Sequence, residues 1–400
     1  MSAPTKTPQS SQPRRSRGSR GSGGSGGSRG EPATPRNADR EGITTSAVRP
    51  APPHLGLIAF VVGLVVGVVA WLLLSNIALG AVIGYLVYVA GAYLSHRILA
   101  GRRVGTDQLM RALIYGAFAL ALLPLISLIL TVVVNGSGRA INPDFLQQTM
   151  NGVTGLADSR YADGSGPFIG GVYHAIFGTL IITGIATVIS VPIGLFAAIY
   201  LVEYGGKTKL TQMIRFFVDV MTGIPSIVAG LFAFALFGAI FGIGTKNGMA
   251  GAIALSVLMI PTVVRNSEEM LRIVPNELRE AALALGVPKW RVIYKIVLPT
   301  AASGLASGVT LAIARVIGET APLLVAVGGF YALNYNPLSG PMQTLAVYAY
   351  EMFTKPLNPG VRDPSLERAW AAALILLAIV IALNLTARLI AKAFAPKTGG

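Results

Sequence analysis

The sequence predicts an all-α polytopic membrane protein, and three observations carry that expectation. Of 400 residues, 53% are hydrophobic and only 12% charged, well outside the usage of soluble chains. From Leu55 onward, apolar runs near the ~20 residues that cross a hydrocarbon core recur at 55–74, 77–96, 112–134, 172–202, 214–241, 249–264, 302–328 and 370–391. With the N-terminus cytoplasmic, 25 of the 32 Lys and Arg residues fall in cytoplasmic segments. Six (Arg139, Arg160, Lys246, Lys355, Arg362 and Arg368) fall outside, and Arg315 alone lies in a span. This bias sets the orientation and puts both termini in the cytoplasm. The net charge of +15 therefore reads as membrane topology, with anionic lipid as its partner and no nucleic acid.

Taken in order, residues 1–54 form a basic Gly/Ser/Arg-rich tail with no apolar surface to bury, expected to be a disordered cytoplasmic segment. No secretory signal precedes the first apolar run. Residues 55–105 hold two spans with Gly63-x-x-x-Gly67, Gly80-x-x-x-Gly84 and Gly91, small faces that let helices approach closely. The remaining six spans make a transmembrane domain over 106–395. Its 249–264 span is short, and Ser256, Pro261 and Thr262 predict an irregular lower end. Pro192, Pro225 and Pro261 interrupt three spans. Two longer external segments follow from the topology. Segment 135–171 is expected to hold a short helix near Asn142–Gln148. Segment 329–369 carries a helix-like stretch, 341–354, too polar to span and expected to lie on the membrane or dip into it.

Charges inside spans require a reason. Arg315 and Glu319 stand four apart, which on a helix is one face and one turn. They read either as an intramembrane ion pair or as the lining of a path for a charged solute, with Gly318 and Pro322 weakening the helix beside them. Arg215 and Asp219 form a second i,i+4 pair, near the membrane interface, and read as a local ion pair.

The most informative stretch is polar and lies between two apolar spans, in the cytoplasmic segment 265–299. It opens with a helix-forming run at 276–285, with Asn276 as N-cap and Glu277 and Glu280 in the first turns. Gly286 stops the helix and Pro288 keeps it stopped. Within it Glu280-Ala281-Ala282, Gly286, Ile296 and Leu298-Pro299 resemble the EAA loop of binding-protein-dependent ABC importer permeases. Two further motifs, Arg315-Val316-Ile317-Gly318-Glu319-Thr320-Ala321-Pro322-Leu323-Leu324 and Gly223-Ile224-Pro225-Ser226-Ile227-Val228-Ala229-Gly230-Leu231-Phe232, resemble the PstA family of phosphate-importer permeases.

The resemblance implies a six-helix ABC importer permease core with two extra N-terminal transmembrane helices, in a bacterial plasma (inner) membrane. It implies a permease heterodimer with a second permease subunit, a dimer of ATPase subunits that use ATP and Mg, and an extracytoplasmic phosphate-binding protein. It assigns coupling to the ATPase to Glu280, Ala281, Ala282 and Gly286, and a substrate path to Arg315 and Glu319. The function expected is inward phosphate translocation. A permease for sulfate or molybdate, and an ATP-independent secondary transporter, are the alternatives. The tail and the first two spans depart from the family pattern.

Enzyme readings find no footing. Gly205-Gly206-Lys207-Thr208 looks like the end of a phosphate-binding loop, but the earlier glycine is replaced by Leu201. His54, His96 and His174 have no metal-ligand spacing. There is no cysteine for a disulfide or thiolate site. A transport subunit without its own nucleotide site or bound cofactor is the expectation.

Overall fold

The computed structural model describes residues 54–394 and consists of helices, with no strand among the described residues. The tail expected over 1–54 lies outside the described residues except for His54. In chain order the helices are α1 (His54–Leu74), α2 (Ile77–Ala100), α3 (Arg102–Ala140), α4 (Pro143–Gln147), α5 (Gly155–Ala162) and α6 (Tyr173–Ile199). Then come α7 (Lys209–Thr222), α8 (Ser226–Phe241), α9 (Gly248–Ile273), α10 (Asn276–Ala284) and α11 (Lys289–Val292). The last four are α12 (Leu298–Val316), α13 (Ala321–Ala326), α14 (Leu345–Thr354) and α15 (Asp363–Phe394). π-Helical turns at Tyr200–Tyr204 and Ile293–Val297 extend α6 and lead into α12. Among the described residues seven helical segments are long and apolar enough to cross a membrane. The chain divides into two compact units within α3, between Gly116 and Ala117.

In the first unit α1 and α2 lock through their glycines. A Cβ on Gly63 would sit 2.7 Å from the Gly84 carbonyl oxygen, and one on Gly80 the same distance from that of Gly67. Only hydrogen fits at these crossings, so the GxxxG reading is right about packing. Asn76 starts α2 by accepting hydrogen bonds from the amides of Ala78 and Leu79. The Tyr85 hydroxyl donates to the Ala112 carbonyl, tying α2 to the start of α3.

The second unit is built around α9. Of its most apolar stretch 61% is buried, against 28% for α6 and 22% for the segment ending in α12. Ala250, Ala252, Ala254, Leu255, Met259 and Val263 of α9 pack against Ile182 and Ala186 of α6, Ala233 and Phe237 of α8, and Ala312 and Val316 of α12. This corrects the expectation of a short, irregular span at 249–264. The helix runs unbroken through Pro261 to Ile273, because neighbours cover it and its polar side chains bond back into it. The Ser256 hydroxyl donates to Ala252 O and that of Thr262 to Leu258 O.

The expected 214–241 span is also corrected. It is two helices, α7 and α8, bent by 105°. α7 ends at Gly223, whose amide bonds to Val220 O, and Pro225, lacking an N–H, precedes the first residue of α8. Its residues explain why it does not continue as a span. Thr211 and Val218 are buried, whereas Leu210, Met213, Phe217 and Val220 form an exposed apolar stripe beside Arg215 and Asp219. That is the pattern of an interfacial helix.

At the end of the second unit remote from the 274–297 loop, α4, α5, α14 and the start of α15 close over α6. The short helix expected near Asn142–Gln148 is α4, with Asn142 accepting from the Asp144 amide. Segment 341–354 supplies α14, whose Leu345, Tyr348 and Met352 are buried with Phe145, Met150, Val172 and Ala372. It is a core element and not a surface helix. Asp158 and Arg368, each 1% exposed, make a bidentate pair at 2.7 and 3.0 Å. Arg368 donates also to Ile169 O at 2.7 Å, and the guanidiniums of Arg139 and Arg368 stand 3.8 and 4.6 Å from the centre of the Phe168 ring. Removing one partner of such a pair strands the other charge. Asp158→Ala is expected to cost about 3–5 kcal/mol in thermal unfolding of the detergent-solubilised protein, and Asp158→Ala/Arg368→Met to recover most of it.

Candidate functional site

The loop between α9 and α12 presents exposed residues from a base packed and hydrogen-bonded to the ends of α6 and α9. Val274 is extended and Pro275, at φ −58°, precedes the first turn of α10. Asn276 is therefore not the N-cap expected from sequence but the first helical residue, and its Oδ1 accepts from Arg279 Nη1 at 3.1 Å. The proline starts the helix with a preset φ instead. Glu277 keeps the expected place in the first turn.

The C-terminus of α10 forms as its glycine requires. Gly286 has φ +77°, its amide donates to Leu283 O, and the Val287 amide donates to Ala282 O. These two bonds are a Schellman closure, which needs a residue free to be left-handed. α10 then divides into two faces. Ala282 is buried and packs with Leu271, Val274, Val292 and Val297. Glu280 and Ala281 are exposed, with Leu278, Leu283 and Leu285 at 44, 46 and 84%. Trp290 of α11 extends the exposed apolar surface.

Three charged residues that sequence reasoning passed over hold this loop. Arg279, 13% exposed, donates from Nε to Glu203 Oε1 at 3.0 Å. Its Nη1 donates to Val274 O at 2.6 Å and its Nη2 to Leu271 O at 2.8 Å, which satisfies carbonyls at the end of α9. Lys289 Nζ donates to the Glu203 carbonyl and stands 4.9 Å from the centre of the Tyr204 ring. Together Glu203, Asn276, Arg279, Glu280 and Lys289 line a cleft of about 200 Å³. The only signal for Glu203 in the sequence is an acid at the end of an otherwise apolar span.

Alongside, α7 is pinned to α9 by crossed ion pairs. Arg215 bonds Glu268 at 2.9 Å, Arg265 bonds Asp219 at 2.7 Å, and Arg272 joins Glu268 at 2.5 Å. The expected Arg215–Asp219 pair does not form, because each finds an opposite charge on the neighbouring helix. These groups, with Leu201, Val218 and Glu269, line a cavity of about 540 Å³. Exposed pairs of this kind are worth roughly 0–1 kcal/mol each.

The second candidate pair also departs from expectation. α12 ends at Val316, and residues 317–320 are not helical before α13 begins with Pro322 in its first turn. Arg315 thus sits in the last turn of a helix and Glu319 in the break, so the one-face argument does not apply. Arg315 is exposed and Glu319 half-buried, and no ion pair joins them. The break is packed against α8, where a Cβ on Gly230 would lie 2.6 Å from Pro322 Cα. The IPSIVAGLF and GETAPLL motifs are therefore neighbours in space, each beside a helix break.

Residues 190–400, which contain the loop and both breaks, match the family described as binding-protein-dependent transport system inner membrane component. The chain is 42% identical over 294 residues to phosphate transport system permease protein PstA 1 of Mycobacterium tuberculosis (strain CDC 1551 / Oshkosh), covering 74% of this chain and 91% of that protein. It is 41% identical over 289 residues to phosphate transport system permease protein PstA of Mycobacterium leprae (strain TN), covering 72% and 90%. Among solved structures, the inward-facing MetNI methionine ABC transporter aligns at 20% identity and TM-score 0.44, over 56% of this chain and 94% of that one. By the match over its C-terminal half and its identity to the two mycobacterial proteins, the chain belongs to the binding-protein-dependent transport system inner membrane component family, among its PstA permeases.

Proposed function

We propose that this chain is a transmembrane permease subunit of an ATP-driven importer of inorganic phosphate. The observation that carries the reading is the 42% identity, over nearly the whole of a phosphate transport permease. The geometry agrees with it, since α10 offers an exposed apolar face from a base fixed to two membrane helices. In this reading α10 seats in a separate ATPase subunit, with Glu280 and Ala281 on the exposed face, Ala282 in the base and Gly286 closing the helix. ATP and its magnesium belong to that partner. A second, different permease subunit completes the path, and an extracytoplasmic phosphate-binding protein delivers the anion from outside. Both termini and the 265–299 segment are cytoplasmic.

Arg315 attracts the anion and Glu319 orients it beside the break. An unpaired guanidinium in an apolar span is costly unless something compensates it, and Arg315 has no ion-pair partner among the described residues. A passing oxyanion supplies that charge. The α7–α8 and α12–α13 breaks give the helices around it a place to bend.

Two measurements test this. In cells lacking this chain and any other high-affinity importer, uptake of labelled phosphate at low concentration should be lost, restored by the intact gene, and not competed by sulfate or molybdate. Arg315→Gln should reduce the restored rate at least tenfold, the order expected for one charge-assisted contact. Unchanged uptake on deletion removes the substrate assignment. Gly286→Asp strains the left-handed position by about 1–2 kcal/mol and adds a charge beside the exposed face. It should leave insertion intact while ATP hydrolysis no longer drives uptake, and normal uptake by that variant refutes the coupling role.

A further inference from the structure

We propose that Arg279 and Lys289 clamp the π-helical turn Tyr200–Tyr204, so that α10 and the adjoining ends of α6 and α9 move as one rigid piece. They are positioning residues for energy transfer. The inference rests on the importer reading, since it names which helices receive the motion of the ATPase.

α10 is nine residues long, and only Ala282 of it is buried. Apolar packing alone would leave such a helix free to rock on its base. Arg279 removes that freedom by bonding three sites outside α10. Through Leu271 O and Val274 O it grips the end of α9, and through Glu203 Oε1 the wide turn that ends α6. Glu203 is 7% exposed, so the pair is shielded from water and from salt. Lys289, on the far side of Gly286, takes the Glu203 carbonyl and the Tyr204 ring. One wide turn is thus held from both ends of the loop. Its extra residue matters here: the Gly205 amide bonds to Tyr200 O, five residues back.

A residue that served only to hold the fold would lower the amount of assembled importer. A clamp has a different signature, which is loss of phosphate moved per ATP hydrolysed. The chain contains no cysteine, so two exposed positions, Phe196 on α6 and Glu277 on α10, can be changed to Cys and this chain spin-labelled at those two sites alone before it is assembled with its partners. The test uses the full importer in vesicles, this chain with its second permease, ATPase and binding protein. The 196–277 distance distribution should stay narrow and unchanged between resting and ATP-trapped states. Arg279→Met should broaden it and lower the phosphate-to-ATP ratio at least about tenfold, since it removes all the hydrogen bonds of the guanidinium and one such bond is already of that order. Arg279→Lys should restore part of the ratio by keeping the charge beside Glu203, and Lys289→Met should have the smaller effect. If Arg279→Met does not assemble, Glu203→Gln carries the same readouts. An unchanged distribution and ratio overturn the clamp, as does uptake falling only in step with assembled complex. If the vesicles move another oxyanion in place of phosphate, the substrate reading fails while the distance result still decides the clamp.

Discussion

The 117–394 unit depends on the burial of α9. An apolar helix in a bilayer gains little from being covered by other apolar helices, so close packing has to come from small side chains. Ala250, Ala252 and Ala254 provide it at the first turns, and a Cβ on Gly251 would overlap the Val327 side chain there. With α9 fixed, α6, α8 and α12 are placed around it. Its continuation beyond the apolar stretch carries Arg265 and Glu268, to which α7 attaches. Its last carbonyls are the ones Arg279 binds. One helix thus sets the position of the bundle, of the interfacial helix and of the loop.

The charges divide into two settings. At the end of the unit formed by α4, α5 and α14, Asp158 and Arg368 are almost fully enclosed and gain their stability from geometry that leaves neither charge alone. At the other end the α7–α9 pairs are open to solvent, with side-chain exposures of 45% for Arg215 and 68% for Asp219. The first arrangement suits a part that keeps its shape. The second is easily exchanged, beside a joint with a 105° bend.

Much of this was legible in the sequence, and the parts that were not share a cause. Apolar runs and the placement of Lys and Arg marked the membrane segments, because both follow from local composition. The turn at Gly286 was legible because a helix must end where only a left-handed residue fits. The bend at Gly223–Pro225 was hidden by the apolar character of Met213, Phe216, Phe217 and Val220, which on an interfacial helix face outward. Arg215 and Asp219 were paired with each other because sequence shows i,i+4 neighbours and not the helix alongside. Glu203 and Arg279 lie 76 positions apart, a separation at which sequence pattern says nothing of contact. The Arg315–Glu319 spacing assumed a helix that Pro322 and the packing of Gly230 do not permit.

The two π-helical turns make the chain sensitive to counting. Each adds one residue between a membrane helix and the loop, and residues along a helix are about 100° apart in azimuth. A substitution within Tyr200–Tyr204 changes what a side chain touches. A single-residue deletion there would restore regular α-helix, swing the Glu203 position away from Arg279, and misdirect every atom downstream. The number of residues in this turn therefore matters as much as the identity of Glu203, because both decide whether the carboxylate reaches Arg279.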